Sequence, residues 1–337
     1  MKAVVLVGGE GTRLRPLTET VPKPLLPLVD RPILAHVLDH LVAHGVTEVV
    51  MSSPYLEETF HPFLETRGGR PAITWVTERE PLGTGGAIVS VLDRLGDEPF
   101  LALNGDILTD LDLTAMLDRH RSRGAAVTIA LHRVEDARAF GLVATDPTGL
   151  ITAFREKPPD PIPGDINAGT YVLDPSVLRG WDPGTYLWIE GEIFPSLIAE
   201  GVSMDGFGSD AYWLDLGTPE QYLRAHADLL AGRVAGHSYD APWIGPGARV
   251  DPSARVGRSV AIGPDARIDA GAEVDGTVLL SGSVVEEGAR VVRSVLGSGA
   301  TVGAGASLAG SVLGDDVRVG PGASLEGVRL GADAPRA

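Results

Sequence analysis

The chain has 337 residues, 44% of them hydrophobic, enough to bury a large core and to form about two domains. Its formal charge of −17 argues against general affinity for nucleic acid or anionic membranes, so any bound polyanion must be gripped by a local cluster of basic groups. Cysteine is absent, which excludes disulfides and thiolate metal sites and makes a reducing cytoplasm the expected compartment.

The first element is a strand over Ala3–Val7, entered without a basic-then-apolar leader, so no secretion signal is expected. It runs into Gly8-Gly9-Glu10-Gly11-Thr12-Arg13, for which three readings compete. A dinucleotide fingerprint needs glycine where Leu14 stands, and a P-loop needs a Gly-Lys-Ser/Thr that does not follow. The third reading is a phosphate-cradling loop of another type, with backbone N–H groups around the anion and charge from Arg13 and Lys23.

Further strands are expected at Val46–Ser52, Ile73–Thr77, Phe100–Leu103 and Ala126–Leu131, alternating with helices. Pro32 to His44 carries Ile33, Leu34, Val37, Leu38, Leu41 and Val42 on one face, with Asp30 as a cap, Pro32 in the first turn and Gly45 at the end. Leu113–Arg123 followed by Gly124 repeats the arrangement. Such alternation predicts an α/β domain with a mostly parallel, Rossmann-like sheet covered on both faces. Ligands then bind beyond the carboxyl ends of the strands, so the loops after Val7, Thr77 and Leu103 are expected to face one crevice. His36, His40 and His44 are spaced for chelation but lack the Glu of H-E-x-x-H; a solvated helix edge is the favoured reading. Trp181 and Trp188 read as core or lid packing.

No stretch reaches the roughly eighteen consecutive apolar residues of a membrane-spanning helix. From Trp243 the pattern changes: apolar residues recur every six positions at Ile244, Val250, Val256, Ile262, Ile268, Val274 and Leu280. After steps of five at Val285 and Leu296, the register continues through Val302, Leu308, Leu313, Val319 and Leu325. An inward aliphatic every six residues with small turn residues is the mark of a parallel β-helix. The expected division is a catalytic domain over 1–232, a linker over 233–242, the β-helix over 243–330 and a tail over 331–337.

Seven segments in order then carry a resemblance. GGEGTRLRPLT…VPKP resembles the signature of the sugar-1-phosphate nucleotidyltransferases. Glu80-Pro-Leu-Gly-Thr-Gly-Gly resembles that family's base-side segment, Asn104-Gly-Asp106 its metal-binding strand end, and Phe154-Arg-Glu156-Lys157-Pro158 its sugar-phosphate motif. Ile166-Asn-Ala-Gly169-Thr-Tyr171 and Ile189-Glu190-Gly-Glu192-Ile-Phe-Pro195 resemble its sugar-binding segments, and Trp213-Leu-Asp215-Leu-Gly-Thr-Pro its second metal position. The resemblance covers roughly residues 1–220, and hexapeptide-repeat proteins of the same kind imply the left-handed form of the coil.

The family's reaction joins two polyanions, an NTP and a sugar 1-phosphate, and releases pyrophosphate, so positioning and charge neutralisation dominate. The resemblance implies Arg13, Lys23 and Asp106 as catalytic residues. It implies Gly8, Gly9, Gly11, Thr12, Arg13, Glu78, Pro81, Gly83 and Thr84 at the nucleotide. Gly141, Glu156, Lys157, Asn167, Gly169 and Glu190 would bind the sugar phosphate, and Asp106 and Asp215 would hold Mg²⁺. No side chain need act as nucleophile or base, because the attacking phosphate is already ionised. Plainer readings stand beside these: Arg15 pairing with a carboxylate, Glu156 neutralising Lys157, Glu190 and Glu192 favouring a helix dipole.

The segments look most like the GDP-mannose-forming branch, with GTP and mannose 1-phosphate as substrates. Glucose-1-phosphate thymidylyl- and adenylyl-transfer, or guanylyl transfer to another hexose or a cyclitol phosphate, are the alternatives. A hexapeptide acyltransferase is disfavoured because the last histidine, His237, precedes the repeats. A non-catalytic scaffold is disfavoured because the charged phosphate ligands are all present. The coil is expected to serve assembly, giving a homo-oligomer.

Overall fold

The computed structural model describes residues 1–53 and 57–331, so the expected tail lies outside the described residues beyond Gly331. The chain forms two compact units, one of Met1–Gly8 and Val37–Trp213, the other of Gly9–His36 and Leu214–Ala337.

The first unit is built on one sheet. Its strands are β1 (Lys2–Leu6), β2 (Glu48–Ser53), β3 (Ala72–Thr77), β4 (Phe100–Asn104), β5 (Val127–Val134), β6 (Gly141–Thr145), β7 (Ile151–Glu156), β8 (Gly164–Leu173) and β9 (Met204–Gly208). The order is β7-β6-β8-β4-β1-β2-β3, with β5 pairing β8 and β9. Strands β4, β1, β2 and β3 are parallel, whereas β8 runs antiparallel to β4, β5 and β6. The sheet is therefore a mixed parallel sheet, with β4, β1, β2 and β3 forming its parallel part. The reason lies in the connections: β6 and β7 form an antiparallel pair instead of a helical crossover, and the chain returns reversed.

Ala3, Val4 and Val5 are fully buried, as expected of a central strand covered on both faces. Val4 joins Val50, Phe100, Ile129, Tyr171 and Phe194 in one core. The parallel strands finish in register, Leu6 opposite Ser52 and Asn104, and Ser53 opposite Thr77. The loops after these strands consequently share the edge at which ligands are expected.

Helix α1 spans Ile33–Ala43, and its Ile33, Leu34, Val37, Leu38 and Leu41 are buried, while Val42 is exposed. Asp30 does not cap it, because the short strand Arg31–Pro32 intervenes. Its carboxylate instead accepts a hydrogen bond from Tyr239 Oη at 2.8 Å. The solvated-edge reading also fails for His36, which is buried with Nε2 2.9 Å from the Leu28 carbonyl. Gly83–Val89 (α2) and Leu113–Arg123 (α3) follow; Asp112 caps α3 by accepting from Ala115 N at 2.9 Å, and Gly124 closes it at φ 60°. Helices α4 (Phe194–Ala199) and α5 (Pro219–Leu230) complete the set used below.

In the second unit, the repeats form three parallel sheets of two- and three-residue strands, consistent with the left-handed β-helix. Ile262, Ile268, Val274, Leu279, Val285, Val291, Leu296, Val302, Leu308, Leu313 and Val319 fill the interior. The in-step residue is Leu279 rather than Leu280, and Val291 occupies the step between Val285 and Leu296. The five-residue steps all fall at one corner, Val274 to Leu279, Val291 to Leu296, Leu308 to Leu313 and Leu325 to Leu330. There Thr277, Ser294 and Ser311 stack: each hydroxyl donates to a carbonyl two residues back, and the backbone N–H of the next coil donates to it. A buried hydroxyl with both roles filled replaces the missing residue without leaving a polar group unpaired.

Candidate functional site

In the second unit, the glycine-rich segment leads into a 3₁₀ turn, Thr12–Leu14, whose Leu14 is buried while Thr12 and Arg13 project outward. Gly11 has φ 62°, and a Cβ there would lie 3.0 Å from Thr18 Cγ2 and 3.1 Å from Lys23 Cβ. The positive φ therefore favours glycine, in a tight space. Its carbonyl accepts from Leu14 N at 2.9 Å and from Thr18 Oγ1 at 2.8 Å, closing the turn. Gly9 lies in the exposed part of the same loop.

The loop brings two cations to one carboxylate. Arg13 Nη2 is 3.8 Å from Asp215 Oδ2, and Lys23 Nζ is 3.8 Å from Asp215 Oδ1. Their surroundings differ: Lys23 is 4% exposed, whereas the Arg13 side chain is 66% exposed. Gly217 makes room, since a Cβ there would lie 2.5 Å from Arg13 Nη2 and 3.0 Å from Asp215 Oδ2. Arg15 instead reaches toward Glu10 at 4.0 Å on the surface, the structural role expected of it. Two cations around a hard-oxygen ligand form an array suited to phosphate oxygens.

In the first unit, Gly8 leaves β1 and Asp106 leaves β4, with Gly105 N donating to the Leu6 carbonyl at 2.8 Å. Asp106 is half-buried at that strand end. Glu78 ends β3 as a buried carboxylate; it accepts from Ser52 Oγ at 2.9 Å and from Leu82 N at 3.0 Å. It thereby shapes the turn that carries exposed Pro81 into α2. A Cβ on Gly83 would strike the Leu187 carbonyl at 2.6 Å, because the strand-like segment before Trp188 lies against the start of α2. Gly85 N and Gly86 N donate to that same carbonyl at 2.9 and 3.2 Å.

The sugar-side residues Asn167, Gly169 and Glu190 converge on a partly buried network. Strand β8 carries a register shift between Asn167 and Tyr171, a bulge of the kind that re-aims side chains beside binding sites. Gly169, at φ 69°, turns the chain there and donates its N–H to Asn167 Oδ1 at 2.9 Å. Asn167 Nδ2 donates to Tyr171 Oη at 2.8 Å, and Tyr171 Oη donates to Glu190 Oε1 at 3.2 Å. Thr84 Oγ1 donates to Glu190 Oε2 at 3.0 Å. Burial raises the Glu190 pKa, and burial together with the neighbouring Glu190 charge raises that of Tyr171.

Glu190 sits in a π-helical turn, Ile189–Ile193, ahead of α4; such turns concentrate at functional sites. Glu192 has the plainer role, accepting from Trp188 N at 2.7 Å. Trp188 is exposed and lies over Gly191, unlike Trp181, which packs on the core. Gly141, Glu156 and Lys157 also come together: Phe154 and Glu156 cover the Gly141 Cα, and Lys157 Nζ is 3.0 Å from Glu156 Oε1. Lys157 adopts φ 43°, a left-handed conformation that a lysine rarely takes and that concentrates at functional positions.

Tyr171 joins Thr84, Asn167 and Glu190, a role that sequence spacing did not reveal; Gly217 is likewise explained only by where Arg13 lies. Among the described residues, no three His, Asp or Glu side chains gather as a ready metal cage. Asp106, in the first unit, and Asp215, in the second, each offer a carboxylate, the hard oxygen donor that divalent ions such as Mg²⁺ prefer.

The Nucleotidyl transferase family model matches residues 2–232, and the GMPPB C-terminal domain model matches residues 239–331. The chain is similar to a mannose-1-phosphate guanylyltransferase of Mycobacterium tuberculosis, 40% identical over 296 residues, spanning 84% of this chain and 82% of that one. It is also similar to mannose-1-phosphate guanylyltransferase 1 of Arabidopsis thaliana, 37% identical over 268 residues, spanning 76% and 73%. Among solved structures, HddC from Yersinia pseudotuberculosis complexed with GMP-PN superposes with a TM-score of 0.58 at 26% identity, covering 66% of this chain and 97% of that one.

Proposed function

The chain belongs to the nucleotidyl transferase family, and from that premise we propose that it makes GDP-mannose and pyrophosphate from GTP and mannose 1-phosphate. The observation that carries the reaction is the pairing of Arg13 and Lys23 with opposite oxygens of Asp215. The mannose-1-phosphate guanylyltransferase relatives support the choice of base and sugar, and the GMP-PN named with HddC supports the base.

In the step, a phosphate oxygen of mannose 1-phosphate forms a bond to the α-phosphorus of GTP. The bond from that phosphorus to the α–β bridging oxygen breaks, and pyrophosphate leaves with the electron pair. No proton moves, so no base is required. Arg13 and Lys23 take up the charge that builds on the leaving phosphates. Gly8, Gly9, Gly11 and Thr12 present loop backbone to the nucleotide, and Pro81, Gly83 and Thr84 form the base-side turn that Glu78 shapes.

Lys157 holds the sugar phosphate, with Gly141 leaving space for it beside Glu156. Glu156, Asn167, Gly169 and Glu190 address the sugar hydroxyls, and Tyr171 and Thr84 fix the direction of Glu190. Enzymes of this family generally use a divalent metal. We assign Mg²⁺ to Asp106 and Asp215; when bound, it would screen phosphate charge. The catalytic domain is taken as 1–232, and the β-helix over 243–330 as an assembly module producing homo-oligomers in the cytoplasm. No helix among the described residues is long and apolar enough to cross a membrane.

The test is pyrophosphate release with each of the four NTPs and dTTP against mannose 1-phosphate and glucose 1-phosphate. GTP with mannose 1-phosphate is expected to be the best pair. Absence of turnover with that pair would sink the guanylyl assignment.

A further inference from the structure

The loop segment 13–20, which follows the glycine-rich turn, is held at both ends by the last coils of the β-helix. Arg329, in the final described strand, donates from Nη1 to the Arg13 carbonyl at 2.9 Å. Thr20 Oγ1 donates to Asp315 Oδ2 at 2.6 Å, and the other oxygen of Asp315 accepts from Ser298 N, one coil back, at 2.8 Å. The Asp315 carboxylate is thus aimed by the coil before it meets the loop. Arg329 also places Nη2 3.6 Å from Glu220 Oε1, in the first turn of α5, the helix that follows Asp215 and Gly217.

Packing agrees with the polar contacts. A Cβ on Gly314 would lie 3.1 Å from Pro16 Cβ, and one on Gly331 would lie 2.8 Å from Glu19 Oε2. The loop approaches the coil closely enough for small residues to matter along its length.

We propose that Arg329 and Asp315 are positioning residues for nucleotidyl transfer, making the end of the β-helix part of the scaffold of the Arg13 loop. The proposal rests on the phosphate role assigned to Arg13 above. The turn bonds Leu14 N to Gly11 O and Leu17 N to Leu14 O set the internal shape of the loop, but they do not fix where it stands. The exposed Arg13 side chain gains little from burial, so its direction depends on where its backbone is held. Arg329 holds that backbone and reaches toward the helix next to Asp215, fixing the Arg13–Asp215 distance from both sides. Ordering these groups before substrate arrives removes an entropic cost from the reaction.

The test compares Arg329→Ala, Arg329→Lys and Asp315→Asn with Arg318→Ala, an exposed arginine of the same coil. Hydrogen exchange of the unliganded protein over residues 11–20 is expected to quicken about tenfold in Arg329→Ala and Asp315→Asn and to stay unchanged in Arg318→Ala. With GTP and mannose 1-phosphate, kcat is expected to fall about tenfold in Arg329→Ala, with KM for the sugar phosphate within about twofold. Arg329→Lys, which keeps a donor for the Arg13 carbonyl, is expected to recover most of kcat. Unchanged exchange over 11–20, or an equal loss of kcat in Arg318→Ala, would overturn the proposal. The exchange measurement needs no substrate, so it stands or falls separately from the choice of GTP and mannose 1-phosphate.

Discussion

Lys23 Nζ lies 3.8 Å from Asp215 Oδ1 inside the protein, while Arg13 approaches the other oxygen of the same carboxylate from solvent. The two cations therefore predict different mutational signatures. Arg13→Ala removes an exposed side chain, so the unfolding midpoint is expected to hold while kcat falls about a hundredfold or more. Lys23→Met is expected to lower both kcat and the unfolding midpoint, because it alters the charge balance at a buried position. Pyrophosphate release and thermal unfolding, measured on the same samples, separate the two. An Arg13→Ala protein with ordinary turnover would remove Arg13 from the reaction.

Gly217→Ala tests the geometry rather than the charge. The new methyl group would stand 2.5 Å from Arg13 Nη2 and 2.9 Å from Cζ, and it meets the far end of a flexible side chain. The guanidinium can swing away, so stability is expected to change little. Its direction toward Asp215 would be lost, and kcat is expected to drop about tenfold with every charged group still present. Equal activity in Gly217→Ala and the parent would mean that the Arg13–Asp215 approach is not used in turnover.

Glu190 is half-buried, and its pKa is raised above the ordinary 4.5, desolvation being the main cause. A carboxylate raised on folding carries no penalty below pH 4.5 and its full penalty above its folded pKa, so at neutral pH the charge weakens the fold. Glu190→Gln keeps a partner for both the Thr84 and Tyr171 hydroxyls, since an amide accepts on one side and donates on the other. The unfolding midpoint is expected to rise or hold while KM for mannose 1-phosphate increases about tenfold. Tyr171→Phe should act differently, costing about 1–2 kcal/mol of stability through the lost bonds to Asn167 and Glu190. Denaturant titrations and sugar-phosphate saturation curves check both.

The candidate phosphate-binding residues stand out in the sequence itself, and the reason is chemical. Arg13, Asp106 and Asp215 are charged residues within two positions of a glycine, and Lys23 stands between Pro22 and Pro24, settings where structural explanations are few. The coil was legible because an inward aliphatic every six residues has a single geometric meaning; only the corner at Val274–Leu279 slipped, since Leu279 and Leu280 are both buried. Tyr171 was not legible, because a tyrosine in an apolar strand looks like core until the bulge after Asn167 aims it at Glu190. His36 misled for the opposite reason. Its helical spacing suggested an edge, but the hairpin over Pro27–Pro32 covers it. Arg329 and Asp315 lie some three hundred residues from their partners, and no local pattern carries that information.

The covered histidines give the last prediction. His36 is pushed down to about 4, chiefly by burial, and faces Asp30, Arg31 and His237. His226, whose Nδ1 accepts from Val29 N at 3.3 Å, is pushed down to about 3 by burial, with His36 nearby. Both are neutral in the fold, whereas in the unfolded chain they take up protons below about pH 6.5. The unfolded state then binds more protons, so stability is unaffected above that pH and falls as the medium is acidified through the window from 6.5 to about 4 and 3. By the lower end of its window, His36 alone removes roughly 3 kcal/mol. His36→Gln retains a donor for the Leu28 carbonyl and cannot be protonated. Its denaturant midpoint, measured from pH 7.5 down to 4, is expected to fall less steeply than that of the parent, and identical slopes would show that His36 is not the group that titrates.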